Sequence, residues 1–218
     1  MNSRLIIAID GPSGVGKGTV ARAVAAALGY RHIDTGAMYR GVAWRALHDH
    51  VSLDDTRALT ALAGHVVIEA ADHSVRVDGV EITSEIRTPE IDQGASRVAC
   101  IPGVRAALVA QQRRIGADGG VVMEGRDIGT VVFPAADVKI YLDASAEERA
   151  RRRVHDEGRR DTRELGQVAS EMAARDQSDR TRDVAPLTVA ADAHVIETTA
   201  LSIQQVVERV LVIIHAAG

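Results

Sequence analysis

The sequence predicts an α/β protein: a three-layer fold with a central parallel sheet, a small antiparallel β insert and an arginine-rich segment. Three observations predict it. The Ile-rich run Leu5–Asp10 stops at Gly11-Pro12-Ser13-Gly14 and gives way to apolar residues at Val20, Val24 and Leu28. That is the order of a buried strand, a glycine turn and a helix. A second short strand, Arg31-His32-Ile33-Asp34, follows at once, and Ser74–Ile82 alternates around Asp78-Gly79 in the pattern of a tight hairpin.

The remaining elements fall in order. Gly29 suits the end of the first helix. Residues 37–49 form a second helix with an imperfect stripe of Met38, Val42, Trp44 and Leu47. His65–Ala70 is strand-like, and with the hairpin it makes an antiparallel insert at about 63–83. Two helices, 88–99 and 103–116, are separated by Pro102. Val121–Met123 and Val138–Leu142 are buried strands. Ser145 followed by Glu147 and Glu148 is a capped helix start. Seven arginines crowd 149–163, and Gly158 bends that run into a loop. A helix over 165–182, a strand at His194–Glu197 and a helix over Ser202–His215 complete one domain, with core 1–62 and 84–218.

Composition narrows the function. Apolar residues make up 46% of the 218, which suffices for a globular core, and the net charge of −4 argues against nucleic-acid or anionic-membrane partners. Only five residues are aromatic, so there is little for bases to stack on. Cys100 is alone, which excludes a disulfide framework, and it is expected in a helix, buried or partly buried. The apolar start is too short for a signal segment or a membrane span. A cytoplasmic monomer is expected.

The strongest chemistry lies in Gly11-Pro12-Ser13-Gly14-Val15-Gly16-Lys17-Gly18-Thr19. Read as G-x4-G-K between a strand and a helix, it is a P-loop. Its glycines let successive N–H groups face one anion, the helix start adds a positive dipole end, and Lys17 supplies a point charge. Lys17 is one of only two lysines, against 24 arginines. The usual Ser or Thr after the lysine is Gly18 here, so no side chain at 18 can touch Mg²⁺. No Asn-Lys-x-Asp follows to read guanine, and the only Asp-Glu pair, Asp156-Glu157, lies within the arginine run. Both facts argue against GTPases and motor ATPases. His48-Asp49-His50 reads as a polar helix end, because residues two apart do not share a helix face.

Three further segments carry charge. Asp34-Thr35-Gly36-Ala37-Met38-Tyr39-Arg40 offers a hydroxyl and a guanidinium for a nucleotide, or is a capped helix start with a surface arginine. Gly125-Arg126-Asp127-Ile128-Gly129-Thr130 ends a core strand, where open α/β sheets gather functional groups, or is an Arg–Asp pair bracing a turn. Arg175-Asp176-Gln177-Ser178-Asp179-Arg180-Thr181-Arg182 is a third ligand set, or a solvated mixed-charge helix.

Taken together and in this order, the glycine loop and the three segments resemble the bacterial cytidylate kinases, from Ile7 to the terminal helix. The antiparallel insert also resembles the extra small domain of those proteins. The resemblance implies a P-loop kinase-type fold that transfers the γ-phosphoryl group of ATP to CMP or dCMP, with Mg²⁺ carried by ATP. Gly11, Pro12, Ser13, Gly14, Val15, Gly16, Lys17, Gly18 and Thr19 would hold the ATP phosphates. Thr35, Arg40, Ser96, Arg105, Arg126, Asp127, Arg175, Asp179 and Arg182 would surround CMP, with Ser96 and Arg105 reading cytosine and Asp179 meeting the ribose. Family members often show serine at the position of Thr35, and the hydroxyl is kept. Residues 149–163 would be the mobile lid over ATP, with Arg152 reaching the transferring phosphate. Lys17, Arg126, Asp127, Arg152 and Arg175 would be the catalytic set, with Asp127 orienting the acceptor and not abstracting a proton. Two other readings compete: a P-loop kinase for another small acceptor such as UMP, and a nucleotide-gated nucleic-acid-binding module.

Overall fold

A computed structural model describes residues 4–71, 74–155 and 164–217. Along the described residues run eight strands: β1 (Ile6–Asp10), β2 (Arg31–Asp34), β3 (Ile68–Ala71), β4 (Ser74–Val77), β5 (Val80–Glu81), β6 (Val121–Gly125), β7 (Val138–Asp143) and β8 (His194–Glu197). The helices are α1 (Lys17–Leu28), α2 (Thr35–His48), α3 (Thr56–His65), α4 (Pro89–Val98), α5 (Pro102–Gly116), α6 (Ala146–Val154), α7 (Leu165–Thr181) and α8 (Ile203–Ala217). A π-helical turn spans Ile128–Val132. The chain divides into two compact units, Met1–His32 with Asp118–Gly218, and Ile33–Ala117.

The first unit is built on a parallel sheet in the order β2-β6-β1-β7-β8. β1 sits at its centre, with Ile9 opposite Glu124 of β6 and Asp10 opposite Tyr141 of β7. A strand covered on both faces must be apolar throughout, and Ile7, Ile9, Val122, Ile140 and Leu142 are all buried. They pack with Val20 and Val24 of α1 and with Val206 and Val210 of α8. Ala150 of α6 joins Val168 and Met172 of α7 in a smaller cluster. Lys139, in the middle of β7, is buried; its ammonium donates to both Asp192 oxygens (2.9 and 2.8 Å) and to Pro134 O (2.6 Å).

In the second unit β3, β4 and β5 form an antiparallel sheet, and Ile33 of β2 pairs antiparallel with Ala71. The alternation read around Asp78-Gly79 is the observed one: Val75 and Val77 point into the core while Ser74 and Arg76 face out. Leu59, Val98, Val104 and Leu108 from α3, α4 and α5 complete that core.

The structure corrects the reading in four places. Residues 56–65 form a helix, capped by Asp55, whose side chain accepts from the Ala58 N–H at 2.9 Å. His65 therefore ends a helix, and the strand starts at Ile68. Pro102 opens α5 instead of separating two helices, because a helix's first N–H has no intrahelical partner to lose. Cys100 is exposed, in the turn after α4, where its thiol donates to Ser96 O. The bend expected at Gly158 lies outside the described residues, as do Arg159, Arg160 and Arg163.

Candidate active site

β1 delivers the chain into a loop whose glycines sit in the left-handed region: Gly14 at φ +75° and Gly16 at +94°. Gly16 precedes α1 without a side-chain cap, which leaves the helix's first N–H groups to an anion. A Cβ at Gly14 would lie 2.8 Å from Arg149 O.

Lys17 is buried, and its ammonium donates to Pro12 O at 2.7 Å. Burial pushes its pKa down to about 7; Arg126 and Arg175 add to the fall, while Glu124 and Asp10 resist it. Asp10 accepts the N–H groups of Ile128 (2.9 Å) and Gly129 (2.8 Å), fixing the π-helical turn behind Asp127. Burial pushes Asp10 up to about 6, against those N–H groups. Where most P-loops carry Ser or Thr, a Cβ on Gly18 would lie 2.9 Å from Glu124 Oε1. That same oxygen meets His32 Nε2 at 3.2 Å.

Arg126, Asp179, Arg182 and Asp127 come together as a chain of alternating charges. Arg126 Nε donates to Asp179 Oδ2 at 2.9 Å, and Arg182 lies 3.5 Å from Asp179 Oδ1 and 3.6 Å from Asp127 Oδ1. Burial raises the pKa of Asp179, but Arg126, Arg175 and Arg182 outweigh it and hold the carboxyl below the usual range. Arg152 reaches the loop, donating to Val15 O (3.2 Å), to the Thr198 hydroxyl and carbonyl, and to Glu148. Arg149, the first of the seven arginines, is buried and donates to Ser13 O and Ala144 O.

The other predicted residues lie in the second unit. Thr35 is buried at the start of α2. Asp34 caps that helix through the Ala37 N–H and holds Arg40 at 2.8 Å. Ser96 donates its hydroxyl to Asp92 O. Arg105 is buried, its guanidinium 5.5 Å from the Tyr39 ring centre and bonded to Ala99 O. The sequence reading gave the capped start at Asp34 but not its hold on Arg40, and it missed Asp10, Glu124 and His32. An acid at the end of an otherwise apolar strand was the available signal for Asp10 and Glu124.

A glycine loop closed by a buried lysine, at the end of the central parallel strand, defines a P-loop phosphate-binding protein. Solved structures agree with the fold: a gluconokinase from Sinorhizobium meliloti 1021 (TM-score 0.52, 16% identity, 100% of this chain and 95% of that one) and a shikimate kinase from Bacteroides thetaiotaomicron (TM-score 0.51, 14% identity, 97% and 98%). A family model, cytidylate kinase, matches residues 7–216. Relatives named cytidylate kinase include one from Solibacter usitatus (50% identical, 98% of this chain and 93% of the relative) and one from Geobacillus sp. (48%, 99% and 98%). The chain belongs to the cytidylate kinase family. No helix among the described residues is long and apolar enough to cross a membrane.

Proposed function

We propose that this chain transfers the γ-phosphoryl group of ATP to CMP or dCMP, giving CDP or dCDP and ADP. One observation carries the reading: the glycine loop ends on a buried Lys17 whose charge is coupled to Arg126, in a chain of this family. Phosphoryl transfer asks mainly for positioning and for neutralisation of negative charge, and arginines without a nucleophile fit that demand. The acceptor is itself a phosphate dianion, so no strong base is needed.

In this reading Gly11 to Thr19 hold the ATP phosphates, with Lys17 as the point charge. Arg126 and Arg175 neutralise the phosphoryl oxygens, and Arg152 exchanges the Val15 carbonyl for phosphate when nucleotide is bound. Thr35, Arg40, Ser96, Arg105, Asp127, Asp179 and Arg182 bind the acceptor nucleotide. Asp34 supports this by pre-aiming Arg40, and Asp10 by fixing the backbone that follows Asp127.

Mg²⁺ carried by ATP would supply charge neutralisation on its phosphates. The acids near the loop, Asp10 and Glu124, offer only oxygen donors, which suits that ion; Glu124 is the carboxylate against position 18. The donor implies a cytoplasmic setting, and the reading takes a monomer working on small molecules, with no nucleic-acid or membrane partner. ADP release from ATP and Mg²⁺ with CMP, dCMP, UMP, AMP and GMP tests the proposal. CMP and dCMP should lead; UMP outrunning CMP, or no turnover with any of them, would overturn it.

A further inference from the structure

Among the described residues, the phosphate chemistry leaves a buried Arg–Asp pair unused. Arg149 of α6 and Asp176 of α7 are each less than one-tenth exposed and are bonded to each other. Both also bond Ser13, in the middle of the glycine loop. Asp176 Oδ1 accepts the Ser13 N–H at 3.2 Å, and Arg149 Nη1 donates to the Ser13 carbonyl at 3.0 Å. The acid and the base thus hold the two backbone polar groups of one loop residue and close a ring through their own contact. Arg149 Nε is tied in turn to Ala144 O at 3.1 Å, just beyond β7. The next residue, Gly14, packs against the same helices: a Cβ there would lie 2.5 Å from Met172 Cε as well as 2.8 Å from Arg149 O.

A glycine-rich loop is costly to order, because glycine has the most backbone freedom to lose. Its N–H groups converge on one anion only if the backbone is already set. A buried ion pair adds little net stability, but its fixed geometry can hold a register. We propose that Arg149 and Asp176 are positioning residues that hold the phosphate loop in its anion-binding shape and so set the affinity for ATP. The proposal rests on the loop being the ATP phosphate site. It also separates Arg149 from the arginines that could reach a phosphate, since its guanidinium is committed to carbonyls and to Asp176.

The test is Arg149→Lys, which keeps the charge but replaces a rigid fork by a point donor that cannot span three oxygens. The KM for ATP and the Kd for ADP should rise about tenfold, with the KM for CMP within about twofold of wild type. An unchanged ATP KM in a folded variant overturns the proposal, and so does an equal loss for ATP and CMP. If Arg149→Lys does not fold, Asp176→Glu replaces it under the same readings; failure of both to fold also overturns the idea, since the pair would then hold the fold and not the loop. Lys17→Ala distinguishes the clamp from the phosphate site itself. If it keeps turnover, the phosphate-site reading falls; if it loses turnover while Arg149→Lys keeps its ATP KM, only the clamp falls.

Discussion

Nucleotide binding should draw a proton out of solution, and Lys17 is the reason. Burial leaves its pKa at about 7 in the free protein, so at pH 8 about nine-tenths of it is neutral. A phosphate charge about 4 Å away, at an effective dielectric of about 20, favours the ammonium by roughly 4 kcal/mol, which returns the pKa to near 10. ADP binding at pH 8 should then take up close to one proton, about 0.9 by this reckoning. Asp10, at about 6, is already ionised at that pH and contributes little. Calorimetric titration with ADP in two buffers of different ionisation enthalpy measures the uptake directly. At pH 6 the Lys17 share should drop to about 0.1. Lys17→Arg, which is always cationic, should bind ADP with the Lys17 uptake gone. No uptake by wild type at pH 8, or the same uptake by Lys17→Arg, would mean that Lys17 is not the group that takes up the proton. The same shift acts on stability with a definite sign. The unfolded chain binds more protons at Lys17 between pH 7 and 10.5, so this residue's contribution to the free protein's stability rises with pH across that window.

Two other predictions concern single positions. Arg105→Met should raise the KM for CMP and narrow the preference for CMP over UMP, since an unmet polar edge costs on the order of 1–3 kcal/mol; steady-state kinetics with an unchanged CMP/UMP ratio would remove Arg105 from base reading. Gly18→Ser, which restores the commoner P-loop residue, should push the Glu124 carboxylate aside, because its Cβ would lie 2.9 Å from Oε1, the movable end of that side chain; Tm should fall by no more than roughly 2–4 °C, and a much larger fall would show that Glu124 cannot yield.

The parallel strands and the glycine loop were legible because their signals are local: an apolar run, a breaker, then a period near 3.6. The Asp78-Gly79 hairpin was legible for the same reason. α3 was not, because residues 56–65 bury only Leu59 and Ala63, too narrow a stripe to stand out from a loop. Cys100 departs from the burial usual for cysteine because α4 ends two residues before it and leaves it in an exposed turn. In the candidate site the charged segments could be found, but not the partners within them. Asp176 looked like one more charge on a solvated helix; its ligand, Ser13, is 163 residues away, and no spacing rule reaches that far. Asp10 and Glu124 were visible only as acids ending apolar strands, and their roles depend on backbone N–H groups and a glycine brought to them by the fold.

The chain's two lysines are both buried, one under the glycine loop and one in β7 clasped by Asp192. Acylating and aldehyde reagents, which need a neutral and reachable side-chain amine, therefore find none on the outer surface. Burial holds the Lys17 pKa down to about 7, so at mildly alkaline pH its amine is largely neutral. For this protein amine modification is not a general coating but a question put to one atom of the phosphate loop, and bound nucleotide, by recharging that atom, would close it to the reagent.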